Sequence, residues 1–477
     1  MLYKSYFSKP IPRYFIFVVQ KLKTSYLYPP PPYYFSVKPA QFPLAALPLL
    51  RSHPAKTSTM RQRQFQVLLF SLLPITALLL ALRPKPDAAW GFYGHRKINR
   101  MAVFTLPPEM LVFYKKNVDY ITEHAVDPDM RRYASKFEAP RHFLDLDRYG
   151  EPPFENLPRN WTDVLMQYCQ YYTVTERGDT LRLVTLPVTE KADSVQLNPR
   201  LFRGEKTGVT RKDFRRFFNQ NILSLYYEEG TWNVPCDSLS KLLGGARLNC
   251  REVFVVDTFS QHGVLPYNLE QSLKRLTEAF LERDAKRILK YSADFGHYIA
   301  DAHVPLHTTS NYNGQLTGQD GLHAFWESRL PELFADEQYD FWVGQANVIE
   351  NPKDYFWKMV LDSHSLVDSV IGIERSLRTE FPPDHQLCNE YRNNVMVKTQ
   401  CEDFATAYHD RMMGMVEARM QASIIAVGSA WYTAWVLAGQ PDLSKLSEDA
   451  AAAQPDSTDL ELQKAVQSGR QMGRPHE

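Results

Sequence analysis

Apolar residues recur at helical spacing along most of the chain after Trp90. In residues 268–290, "NLEQSLKRLTEAFLERDAKRILK", the side chains of Leu269, Leu273, Leu276, Phe280 and Ile288 fall on one face, with Asn268 as the N-cap. A following helix is expected from about Ala285 or Tyr291 through Ala302, stopping near Pro305. Further helices are expected over roughly 353–378 and 402–438. The last contains the eighteen residues "ASIIAVGSAWYTAWVLAG". That run is short for a membrane span and includes Ser, Gly and Thr. It also continues from a charged stretch (Asp410, Arg411, Glu417, Arg419), so it reads as a core helix.

Residues from about 150 to 265 break the helical pattern. "LRLVTLPV" is strand-like, "GVTRKDFRRFFNQNILSLYYEE" looks helical, and "KLLGGARLN" reads as a turn or loop. The expected architecture is an all-α, multi-helix domain over 90–440 with a mixed insertion at about 150–265. Residues 441–477, rich in Ala, Asp, Ser and Gln, read as a flexible tail.

The first 89 residues divide in two. Residues 1–59 are rich in Pro and Tyr without periodicity and read as a disordered or untranslated extension. Met60 begins a better candidate: Arg61 and Arg63, the apolar run "VLLFSLLPITALLLAL", then Ala88-Ala89. A basic head, an apolar stretch and a small-residue end are the plan of a secretory signal. Export with cleavage before Trp90 is expected, with no stable membrane span in the mature form.

Charge sharpens this picture. The chain has 55 Lys and Arg against 54 Asp and Glu, but 12 of the basic residues and only Asp87 of the acids precede Trp90. The remainder is therefore acidic and lacks the basic footprint of a tight, non-specific duplex binder. A phosphate-bearing ligand would need a local source of positive charge, which bound metal supplies. The five cysteines form no CxxC; in an exported protein Cys388 and Cys401 can close a short loop, and the odd count leaves a thiol over.

Only 13 histidines occur in 477 residues, yet three fall within "ADFGHYIADAHVPLH", 293–307. His297 and Asp301 are four apart and share a helix face, as do His323 and Glu327; His307 follows Pro305. Two His–carboxylate pairs and a loop histidine make an N/O donor set suited to zinc. Further donors should lie upstream among His95, His124, Asp127, Asp129 and His142.

The segments "WGFYGH" (90–95), Asp127, "HFLD" (142–145), "HYIADAHVPLH" (297–307) and "GLHAFWE" (321–327) resemble, in order, motifs of the zinc-dependent phospholipase C / S1-P1 nuclease superfamily. The resemblance implies an all-helical fold holding three zinc ions at the bottom of a cleft. It assigns Asp127, His142, His297 and Asp301 to the first ion and His307, His323 and Glu327 to the second. The third falls to His95, a bridging Asp301, and Trp90 through its freed α-amino group and carbonyl oxygen. Asp129 takes the place of Asp127 if the register shifts by two. Asp145 is a candidate for orienting substrate or ligands, and His303, two past Asp301, is expected to pack or to support the ligands from behind rather than to ligate.

The implied reaction is phosphodiester hydrolysis by a hydroxide bridging the first and third ions, with Asp301 central to the machinery and the second zinc stabilising the departing alkoxide. The motif spacings favour an S1/P1-like nuclease acting on single-stranded nucleic acid or nucleotides, with Phe143, Phe325 and Trp326 as candidate stacking residues. Glu327, where such nucleases usually carry Asp, leans toward the alternative, a phospholipase C acting on phospholipid headgroups. A third reading is a non-catalytic, zinc-binding exported protein.

Overall fold

The computed structural model describes residues 92–201, 208–227, 230–392 and 395–446, with isolated positions between 462 and 472. The proposed signal segment and Trp90 lie outside the described residues.

Four helices build the helical part that carries the site: α1 (Phe92–Val103), the long α8 (Leu265–Glu282), α9 (Ala285–Asp301) and α15 (Met415–Leu437). Between α1 and α8 come α2 (Pro108–Lys116), α3 (Val118–Glu123), α4 (Asp127–Arg131), α5 (Trp161–Tyr168), α6 (Arg211–Asn221) and α7 (Cys236–Leu242). After α9 come α10 (Leu322–Ala324), α11 (Leu330–Gln338), α12 (Pro352–His364), α13 (Val367–Glu380) and α14 (Glu402–Arg411).

The apolar run in α15 is core. Trp431 is fully buried, its indole N–H donates to the Ser292 carbonyl of α9 at 3.0 Å, and its ring stacks on Tyr114 of α2. Among the described residues, no helix is long and apolar enough to cross a membrane.

Several expected helices are interrupted. The run read as 268–290 ends at Glu282, because Arg283 turns left-handed (φ 56°) and Asp284 then caps α9 by accepting from the Arg287 N–H. Helix α8 also starts three residues before Asn268, so Asn268 is interior rather than the N-cap. The segment 402–438 splits at Met413 (φ 50°) and Gly414 (φ 78°), and 353–378 splits at Ser365 and Leu366.

The fold class itself needs correction. The protein is about 58% helical but places about 11% of its residues in strands of several antiparallel sheets, so it is mixed α/β, mostly helical, rather than all-α. Six of the strands described fall in the 150–265 region. There β1 (Gln170–Val174), β2 (Thr180–Arg182), β5 (Trp232–Val234) and β6 (Glu252–Val256) form one antiparallel sheet in the order β2-β1-β6-β5. Its buried positions alternate, Tyr171 and Thr173 on β1, Val253 and Val255 on β6, and α6 lays Phe214 near Tyr171 at 5.4 Å. β3 (Ser194–Gln196) pairs with β4 (Gly208–Thr210), and the Cys236–Cys250 disulfide ties α7 to the approach of β6. Far along the chain, β7 (Leu387–Arg392) and β8 (Val395–Gln400) form a hairpin closed by Cys388–Cys401. Cys169 is the buried free thiol among the described residues.

Candidate metal centre

The site begins with a close approach of two helices. A Cβ on Gly296 of α9 would lie 2.0 Å from Asn99 Oδ1 of α1, while Asn99 Nδ2 donates to the Ala293 carbonyl at 3.0 Å. Only glycine lets the backbones come this near. One residue on, His297 stacks its ring on His95 at 4.0 Å.

A second close approach fixes His142. Gly263 (φ 95°) faces the Phe143 carbonyl where no side chain fits, and the Val264 and Leu265 N–H groups donate to the carbonyls of Pro140 and Phe143. The 3₁₀ turn Ala139–His142 is thereby held against the start of α8.

From these elements, from α4, from the turn Pro305–Thr308 and from the helical segment 322–329, five buried imidazoles and three buried carboxylates converge. In the first group, His142 Nδ1 lies 3.0 Å from Asp301 Oδ2 and 3.0 Å from His297 Nε2, which is 3.3 Å from the same oxygen. Asp129 Oδ1 approaches His142 Nδ1 and His297 Nε2 at 3.7 and 3.8 Å. In the second, His307 Nε2 and His323 Nε2 meet Glu327 Oε2 at 3.2 and 2.9 Å. In the third, His95 Nε2 stands 3.2 Å from Glu327 Oε1 and 3.6 Å from Asp301 Oδ1. His142, His297 and Asp301, then His307, His323 and Glu327, then His95, Asp301 and Glu327 can each offer one donor atom per residue to a single ion, and a further set joins Asp129 to His95 and His297. Donors around a tetrahedral zinc are about 3.3–3.6 Å apart, given zinc–ligand bonds of about 2.0–2.2 Å, and the distances here straddle that value.

The hydrogen-bond pattern also fits a cation. His297 Nδ1 contacts the Ala125 carbonyl at 2.8 Å and His307 Nδ1 the His142 carbonyl at 2.5 Å. A carbonyl only accepts, so each Nδ1 carries its hydrogen, and the neutral ring points an Nε2 lone pair at a carboxylate oxygen. Lone pair against lone pair is repulsive unless a proton or a metal ion sits between. Asp301 Oδ1, Glu327 Oε1 and both His95 nitrogens are buried without a hydrogen-bond partner among the described residues.

The proton affinities say the same. Burial opposes a charged His297, yet the Asp301 and Asp129 carboxylates overcome it and lift the imidazole to about 9. His307 is raised too, by Asp301 and Glu327 against its burial. Burial works against the Asp301 and Glu327 charges, but the imidazoles hold both carboxyls well below the usual range. The cluster calls for positive charge.

The structure brings together His95, His142, His297, Asp301, His307, His323 and Glu327. Asp127 lies elsewhere: its carboxylate bonds His124 Nδ1 at 2.7 Å, partly exposed, while Asp129 is the aspartate turned inward. Two residues along a helix differ by about 200° in direction, so one turn of α4 sends them to opposite sides. Asp145 is outside the three groups, with Oδ2 at 3.7 Å from His262 Nδ1. His303 turns Nδ1 to the Ile299 carbonyl, and burial, aided by Arg419, pushes its imidazole down to about 3. It packs, as expected.

Phe143, Phe325 and Trp326 are all buried, so none offers an open face for a base. Sequence reasoning missed two features. Glu327 reaches two groups through its two oxygens, and its i,i+4 spacing with His323 shows only one of them. Glu138, one turn before His142, is held by Arg141 at 2.8 Å and by Tyr298 beneath the cluster.

No known family profile matches the chain, and no curated protein matches it.

Proposed function

We propose that this protein is a zinc-dependent phosphodiesterase of the S1/P1 nuclease kind, with three ions in the cluster. The observation that carries the reading is the double use of two buried carboxylates. Asp301 turns Oδ2 to His142 and His297 and Oδ1 to His95, and Glu327 turns Oε2 to His307 and His323 and Oε1 to His95. Structural zinc sites are closed, mononuclear, four-ligand cages. Here the protein donors are shared among groups, which leaves positions for water and substrate.

Zinc held by these residues would lower the pKa of water and polarise a phosphoryl oxygen. The chain's own part is positioning and charge. The carbonyls of Ala125 and His142 set the imidazole tautomers, and the burial of the donors keeps bulk water from competing for the ions. Three divalent ions against Asp129, Asp301 and Glu327 leave net positive charge, a seat for a phosphodiester on an otherwise acidic chain.

Two disulfides support export, since such bonds persist in oxidising compartments. Cleavage before Trp90 would free an amine able to chelate together with its own carbonyl.

The test uses protein purified with Trp90 as its first residue. Elemental analysis should find zinc, and bis(p-nitrophenyl) phosphate should be hydrolysed well above the Asp301→Asn variant. Turnover equal to that variant overturns the enzymatic reading. Single-stranded DNA and RNA should be cleaved in preference to phosphatidylcholine; the reverse order would make it a phospholipase.

A further inference from the structure

His323 and Glu327 stand on an uncommon piece of chain. Helix α10 ends at Ala324, the next five residues, Phe325–Arg329, form a π turn, and α11 resumes at Leu330. Such turns are rare and cluster at functional sites. This one is gripped at both ends. At its start the Phe325 ring stacks on Phe404 of α14 at 5.7 Å and meets Tyr408 at 4.7 Å. At its end Arg329, only 3% exposed, reaches across to the β7–β8 hairpin. Its Nη1 donates to Glu390 Oε2 at 3.1 Å, and its Nη2 donates to Glu390 Oε1 and, at 3.2 Å, to the Gln400 carbonyl. A forked pairing of this kind fixes direction as well as supplying energy.

The hairpin is tied at its base. Cys388 is bridged to Cys401, which lies between the end of β8 and the start of α14, and the Cys401 N–H donates to the Gln386 carbonyl at 3.1 Å. Among the described residues β7 and β8 pair only with each other, and a two-stranded hairpin is marginal alone. Cys388 and Glu390 are two apart on β7 and share its inner face, while Tyr391, 68% exposed, faces outward. The bridge therefore steadies the strand face that presents Glu390 to Arg329.

We propose that this hairpin is a clamp on the metal centre, with Glu390 as its positioning residue. Through Arg329 it fixes the π turn and with it Glu327, whose Oε2 faces His307 and His323 and whose Oε1 faces His95. Charge matters as well as shape. A buried guanidinium two residues from Glu327 would repel a divalent cation, and the Glu390 carboxylate offsets it. The clamp rests on the cluster holding metal and is independent of the phosphodiesterase reading.

The experiment is chelator competition on the purified, zinc-loaded protein, with zinc counted per chain as free zinc is lowered. In Glu390→Gln at least one ion should bind tenfold or more weakly, the size expected when the partner supporting a metal ligand is removed, while at least one other binds as in wild type. Glu390→Asp keeps the charge and should recover part of the loss. Tyr391→Ser, on the outer face of the same strand, should change nothing. Cys388→Ser/Cys401→Ser should act in the same direction as Glu390→Gln, and combining them should weaken binding by less than the product of the two effects, because both open one clamp. If Glu390→Gln does not fold, the disulfide variant carries the same expectation. Unchanged zinc affinity in these variants overturns the clamp. So does an equal weakening of every ion together with a fall in Tm, which would make the hairpin a general prop. Wild-type protein that takes up no zinc removes the metal reading itself; wild type and variants that fill their sites equally well remove the clamp alone.

Discussion

His95 and His297 stack face to face, ring centroids 4.0 Å apart and planes 21° from parallel. The contact joins α1 to α9 and exists because Gly296 carries no side chain where Asn99 Oδ1 stands. Gly296→Ala should therefore push the helices apart. Overpacking costs about 1–3 kcal/mol and helix propensity returns about 1, so a net loss near 1 kcal/mol is expected in urea unfolding, with a larger proportional loss of bound zinc. Adding Asn99→Ala should restore part of the zinc. Unchanged zinc in the single variant would mean the approach does not set the site.

Asp301 faces two groups at once, so its loss should weaken two metal positions. Asp301→Ala is expected to bind at least one zinc fewer per chain and to lose phosphodiester turnover by a thousandfold or more. Full zinc content in that variant, measured by elemental analysis, would contradict a bridging role.

Asp129 and Asp127 give a sharper comparison. Asp129→Asn should lower zinc content or affinity, because its Oδ1 approaches His142 and His297. Asp127→Asn should leave zinc unchanged, since its partner is His124 at the surface. The opposite pattern would return the ligand to Asp127.

That pair also marks what the sequence could convey. His297 with Asp301 and His323 with Glu327 were legible because both members of each pair sit on one turn of chain, where spacing alone fixes a shared face. Asp127 against Asp129 was not, because the choice depends on how a one-turn helix is rotated by its packing. Helix α8 was legible as an apolar stripe, α15 as a continuous apolar run, and α9 from the chain break at Pro305. The breaks inside the expected runs were not, since Arg283 and Met413 turn left-handed in a way that no periodicity records, whereas the ends of α9 at Asp301 and of α15 at Leu437 fall within a residue of expectation. The order β2-β1-β6-β5 joins strands far apart in sequence, and short strands with non-local partners leave only a faint alternating signal. The all-α expectation failed on them.

Glu138 should make stability depend on pH. Burial disfavours its charge, but the Arg131 and Arg141 guanidiniums prevail and bring the carboxyl down from 4.5 to about 2. A folded pKa below the unfolded one stabilises the fold at pH above the unfolded value, and that stability drains away as pH falls from 4.5 toward 2. The shift corresponds to roughly 3 kcal/mol at neutral pH. Glu138→Gln should lose stability of that order at pH 7 in urea unfolding, with the gap to wild type narrowing between pH 4.5 and 3. A gap independent of pH would assign the loss to packing instead.

Whether the buried imidazoles and carboxylates hold a cluster of zinc ions is decided by anomalous diffraction at the zinc absorption edge, from crystals of protein beginning at Trp90. Three peaks are predicted: one among Asp129, His142, His297 and Asp301, one among His307, His323 and Glu327, and one beside His95 between Asp301 and Glu327. No peak among these residues from zinc-replete protein would contradict the account.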